Sequence, residues 1–185
     1  MDLNKVIKNR RSVKKFKNKK PDWRDIIEAI DSVRYAPMAG NNYSLKFILV
    51  DDKEKILSMA ESAQQDFIKK VDFVVVFCSK PSRTINAYGK EGEIYFRQQA
   101  GAAMENFLLS IQEKGLATCW VGHFVEDEIK KTLEIPDDVH VEAIFPIGYE
   151  ASKPKTRKAP IDLDKILYFN KYNNKKMNPP KRFDT

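Results

Sequence analysis

The sequence predicts an α+β domain, helices laid against a small β-sheet, and three stretches carry that prediction. Residues 71–78 are rich in β-branched and apolar side chains on both faces, which marks a strand covered on two sides and central in a sheet. Residues 93–114 place Ala100, Ala103, Met104, Phe107, Leu108 and Ile111 at the spacing of one buried helical face. Gly115 stands where that helix must stop, because glycine enters positive φ without a Cβ clash. Residues 117–121 then read as a short strand, and Gly122 lets a backbone or a flat ligand come close. A buried helix, a tight stop, a short strand and a glycine together form a floor suited to a planar cofactor.

The other elements follow in order. Leu3, Val6 and Ile7 give a short amphipathic helix running into Arg10, Arg11 and Ser12, and residues 13–16 are extended. Asp22 caps a second helix whose apolar face is Trp23, Ile26, Ile27, Ile30 and Val33. A loop over residues 36–43 leads to a strand at residues 45–50 and a helix at residues 53–63. Residues 79–92, with Pro81, Tyr88 and Gly89, read as irregular. A charged helix at residues 126–133 ends before Pro136, residues 139–149 form a further strand, and residues 162–167 give a last turn or two of helix. From Tyr168 onward asparagine, lysine and proline dominate, the composition of a tail that is disordered or laid across a partner. The expected organisation is a single domain, residues 1–167, followed by a C-terminal arm, residues 168–185.

A chain of 185 residues with 42% hydrophobic and 32% charged residues can bury one core. No apolar run approaches the roughly 20 residues needed to span a membrane, and the N-terminus lacks the apolar centre of a signal peptide, so the expected location is cytoplasmic. Cys78 and Cys119 lie inside apparent strands and read as reduced, buried small hydrophobes. With two scattered cysteines and two histidines, a metal centre is not expected. The net charge of +7 favours anionic partners. Interleaved aromatics on a basic face, or a recognition helix, would mark a nucleic-acid module, and neither is present.

Several groups could carry chemistry. Arg10, Arg11, Ser12 and Lys14 put three cations and a hydroxyl within five residues, a set that suits a phosphate or simply a solvated basic cluster. Gln64 and Gln65 offer amides that both donate and accept. Lys155 and Arg157, at i and i+2 of an extended loop, project to one side and can grip one phosphate. His123 is either a proton donor or a packed loop histidine, and His140, opening a strand, has no chemical role.

These motifs, in their order, resemble the FMN-dependent nitroreductase family over approximately residues 3 to 167. GLATCWVG at residues 115–122 is similar to the family's GLGTCWIG segment. Residues 10–16 resemble its RRSxRxF motif, with Lys14 in place of an arginine. Residues 36–45 resemble its APSxxNxQPW loop, with Met38 and Ala39 near the usual serine and Tyr43, Ser44 and Leu45 replacing Gln-Pro-Trp. Gly148, then Lys155 and Arg157, resemble its closing K-x-R element. The resemblance implies a central mixed sheet flanked by helices and a homodimer with two FMN sites at the interface. It implies an NADH- or NADPH-dependent oxidoreductase in which hydride passes through flavin N5 to a nitroaromatic, quinone or similar small acceptor, with no catalytic protein nucleophile. Arg10, Arg11, Ser12, Lys14, Pro37, Met38, Ala39, Asn41, Gln64, Trp120, Val121, Gly122, Lys155 and Arg157 would contact the cofactor. Reductive dehalogenation, flavin breakdown or FMN binding without turnover on the same scaffold are the alternatives.

Overall fold

A computed structural model describes residues 2–152 and 160–177. The chain groups into two compact units, Met1–Ser152 and Lys153–Thr185. The first begins with helices α1 (Leu3–Asn9) and α2 (Trp23–Asp31), followed by strand β1 (Leu45–Val50), helix α3 (Lys53–Ser62) and strand β2 (Phe73–Ser79). Helices α4 (Ser82–Tyr88) and α5 (Glu91–Glu113) come next, then β3 (Ala117–Thr118), α6 (Glu126–Leu133) and β4 (His140–Gly148). The second unit contains the short helix α7 (Leu163–Ile166).

The strands form one sheet in the order β1-β2-β4-β3, and every ladder is antiparallel. The parallel component of the mixed sheet is a single bridge between Ser12 and Thr118. β2 is buried at all seven positions because its two faces meet two different cores. On one face Phe73, Val75 and Phe77 pack with Ile26, Phe107 and Phe145, the side covered by α2 and α5. On the other, Val74, Val76 and Cys78 pack with Ile56, Met59 and Ile129 from α3 and α6. The alternation of a pleated strand thus divides one apolar run between two helical layers.

Two expectations need correction. Residues 79–92 are not irregular: Ser82–Tyr88 is a helix, and α5 starts at Glu91 rather than Glu93. The turn between them is made by Gly89 at φ 58°, and Gly92 lets the helices touch, since a Cβ there would lie 2.7 Å from the Thr84 carbonyl oxygen. The strand expected at residues 117–121 is regular only at Ala117 and Thr118, and Val121 rejoins the sheet by an isolated bridge to Ile144. Trp120 turns outward between them, 40% exposed, its ring centroid 5.8 Å from that of Phe145.

Candidate functional site

The N-terminal motif reaches its place through backbone pairing. After α1, whose cap Asp2 accepts from the Asn4 N–H, the chain leaves the helix at Arg10 and runs alongside the sheet. Val13 N–H donates to the Thr118 carbonyl at 2.8 Å. A few residues on, the same ribbon pairs with the chain that leaves β4. Lys17 N–H donates to Tyr149 O at 2.8 Å, and Ala151 N–H donates to Lys15 O at 2.9 Å, so that Phe16 faces Glu150. Gly148 makes that approach possible, because a Cβ at this position would sit 2.8 Å from Phe16 Cδ1.

This ribbon sorts its charged side chains. Arg10 points to α5, its Nε 3.4 Å from Glu105 Oε1. Arg11 points to the end of β4, where its Nε donates to Glu150 Oε1 at 2.9 Å and its Nη2 to Oε2. Lys14 lies with its Nζ 3.4 Å from Gln65 Oε1 and 5.2 Å from the centre of the Phe67 ring. Beneath them is Cys119, whose thiol burial pushes up from its ordinary range while the Lys14 ammonium and a hydrogen bond with Ser12 pull it down. Ser12, Lys14, Gln65 and Cys119 therefore converge, with the hydroxyl of the neighbouring Thr118 buried and unpartnered.

The glutamine expected to face the cofactor was Gln64, but Gln65 is the one beside Lys14. Gln64 takes a left-handed φ of 52° at the end of α3 and is exposed, and the half-buried Gln65 follows it beside Lys14. Trp120, Val121 and Gly122 follow the converging group directly, Val121 buried and Gly122 exposed. His123 is exposed in the turn beyond. His140 opens β4, stacked on Phe96 and 3.7 Å from the Glu126 carboxylate.

Residues 37–41 form a separate feature. Asn41 and Gly40 both have positive φ, and the Tyr88 hydroxyl from α4 lies over Gly40, 2.4 Å from where a Cβ would be. The end of the loop is tied to α5: Gln99 Oε1 accepts from Ser44 N–H at 3.0 Å, and Gln99 Nε2 donates to Asn42 O at 3.3 Å. Ser44 and Thr84 share a buried hydroxyl contact of 2.9 Å. Among the described residues, Pro37, Met38, Ala39 and Asn41 share no hydrogen bond with the Ser12–Lys14 ribbon. Lys155 and Arg157 lie outside the described residues. Glu150 and Phe67 are absent from the sequence reading. An acid two residues beyond Gly148, in a chain whose N-terminus carries paired arginines, was the available signal for the first.

Comparison with known proteins gives these contacts a context. The Nitroreductase family model matches residues 7–72 and 57–149. A nitroreductase family protein from Clostridium novyi NT, solved as a crystal structure, is 30% identical, with a TM-score of 0.76 over 94% of this chain and 96% of its own. The iodotyrosine deiodinase of Thermotoga neapolitana is 26% identical over 169 residues, 81% of this chain and 90% of its own. NADPH:FMN oxidoreductase from Vibrio harveyi, complexed with NAD+, shares the fold at a TM-score of 0.82 over 96% of this chain and 80% of its own, at 19% identity.

Proposed function

Because the chain belongs to the nitroreductase family, we propose that it uses bound FMN to reduce small organic acceptors at the expense of NADH or NADPH. The observation that carries this reading is the convergence of Ser12, Lys14 and Gln65 above Cys119, next to the backbone of Trp120–Gly122. The donor set suits a flavin. An ammonium beside an amide matches a ring edge that presents both a carbonyl and an N–H, and arginines with a hydroxyl suit a phosphate. FMN held there would supply hydride chemistry at N5, between a nicotinamide and a nitroaromatic, quinone or similar acceptor.

Lys14 or Arg10 would lie at the N1–C2 carbonyl edge, where a fixed positive charge favours the anionic reduced ring. Gln65, rather than Gln64, would address the adjoining polar edge. Arg11 and Ser12 would hold the phosphate, a role that the resemblance to the K-x-R element also gives Lys155 and Arg157. Backbone amides of Trp120, Val121 and Gly122 would line N5. Residues 37–41 would reach the flavin of a second copy across a homodimer interface. A homodimer fits the surface: Leu3 and Ile7 on α1 are 64% and 49% exposed, and in the second unit Ile161, Leu163, Tyr172 and Met177 are uncovered. Residues 168–185 would then be an arm crossing the partner. The two cysteines are free and buried, a state that a reducing cytoplasm maintains.

A visible absorption spectrum of the purified protein, followed by anaerobic addition of NADH and then NADPH, tests the reading. Yellow protein bleached by either nucleotide is expected. Colourless protein that also fails to take up added FMN would overturn it. The iodotyrosine deiodinase relative favours a second reading on the same site, reductive dehalogenation. Iodide release from 3-iodotyrosine by dithionite-reduced protein, with no bleaching by nicotinamides, would select it.

A further inference from the structure

The two arginines of the ribbon leave it in different directions, and the structure holds them differently. Arg10 meets Glu105 through one contact of 3.4 Å between half-exposed side chains. Arg11 is gripped by both oxygens of Glu150 through Nε and Nη2, with the two side chains only 30% and 21% exposed. Glu150 is itself fixed in register. It faces Phe16 across the ribbon, between the hydrogen bonds Lys17 N–H to Tyr149 O and Ala151 N–H to Lys15 O.

A guanidinium carries five N–H donors, and a bidentate carboxylate on its Nε edge takes two. The second Nη2 proton and both Nη1 protons stay out of this pair and point away from Glu150. A carboxylate held by backbone pairing thus sets the plane of the guanidinium and presents its opposite edge. On the flavin reading above, we propose that Glu150 is a positioning residue for the cofactor's phosphate. It orients Arg11 so that the Nη1 edge meets the phosphate, and it makes the protein choose FMN over riboflavin.

The selectivity between FMN and riboflavin, which differ only in the phosphate, reads this directly. Dissociation constants for both are measured by flavin fluorescence quenching on the full chain, in wild type and in E150A, E150Q, R11A and R11A/E150A. E150A is expected to weaken FMN about tenfold or more and riboflavin about twofold or less, the scale of one misoriented charge-assisted hydrogen bond. E150Q, which keeps one acceptor oxygen, is expected to fall between wild type and E150A. The double variant is expected to bind FMN no more weakly than R11A. Equal weakening of both flavins would show that the pair only fastens the ribbon and would overturn the proposal. So would tighter FMN binding by E150Q, which would make Glu150 a competitor of the phosphate. If E150A does not fold, E150Q alone decides by the same ratio. Wild type that takes up neither flavin would sink the cofactor reading itself, a separate outcome.

Discussion

Gly148 shows how much of the site hangs on single residues. Its missing side chain is filled by the Phe16 ring, and the ribbon that carries Arg11, Ser12 and Lys14 rests there. Gly148→Ala forces a methyl group to within 2.8 Å of Phe16 Cδ1, so the ribbon must lift. A loss of about 1–3 kcal/mol is expected by chemical denaturation, the usual cost of overpacking, together with weaker flavin uptake. Unchanged stability would mean that Phe16 moves freely. Cys78 gives a prediction in pH. Burial, and then the carboxylates of Glu142 and Glu126, push its thiol up from 9.0 to about 12. Between those values the unfolded chain has released a proton that the folded chain keeps, so stability falls as pH rises through that window. Urea midpoints from pH 8.5 to 11 should decline more steeply in wild type than in Cys78→Ala. Parallel slopes would contradict the assignment.

At the scale of elements, α5 does two tasks: it covers one face of the sheet, and it anchors the loop before β1 through Gln99. Gln99→Ala leaves the buried Ser44 N–H without its acceptor, which costs about 1–3 kcal/mol. Urea denaturation should show that loss, and hydrogen exchange should show faster opening at residues 42–44. Retained protection there would mean that Ser44 is held by Thr84 alone. The elements that could be read in the sequence were those with strong local signals. Asp22 caps α2 by accepting from Arg24 N–H at 2.9 Å, β2 announced itself by composition, and α5 by its apolar spacing. The α4 helix was hidden because its apolar residues are few and its boundary with α5 is a glycine turn, which reads as loop. The early end of β3 was hidden because Trp120 suits a strand by propensity yet packs over Phe145 from outside the ladder. In the site, residue types were legible and contacts were not. Arg11 reads as a phosphate ligand, whereas its pairing with Glu150 spans 139 positions and has no local signature. That Gln65 rather than Gln64 lies beside Lys14 goes with one left-handed backbone angle that a glutamine does not advertise.

The molecule as a whole presents more apolar surface than its first unit needs. Leu3 and Ile7 stand exposed on α1, the apolar surface that the proposed homodimer would cover. Sedimentation velocity is expected to give twice the 21.4 kDa chain mass. Leu3→Glu combined with Ile7→Glu should shift the protein toward monomer and lower its flavin content together. A monomeric wild type that retains FMN would separate cofactor binding from association. The net charge of +7 bears on the same site: FMN affinity should fall with added salt more steeply than riboflavin affinity, since only the phosphate feels the cations strongly.

The ribbon at residues 12–17 has a consequence for the order of events at the ribosome. Its two docking strips are Thr118 and the chain at residues 149–151, so the first motif to be synthesised has nowhere to lie until the last strand has emerged. Helices and the β1-β2 hairpin-like pair can form during translation, because their partners are already present. The candidate cofactor site cannot. A nascent chain short of Glu150 has its core strands under way but no seat for Arg11 or Lys14, and an N-terminally clipped chain would keep its sheet and lose the seat. Possession of the bound flavin would then certify that residues 12–17 and residues 149–151 have both been made and joined.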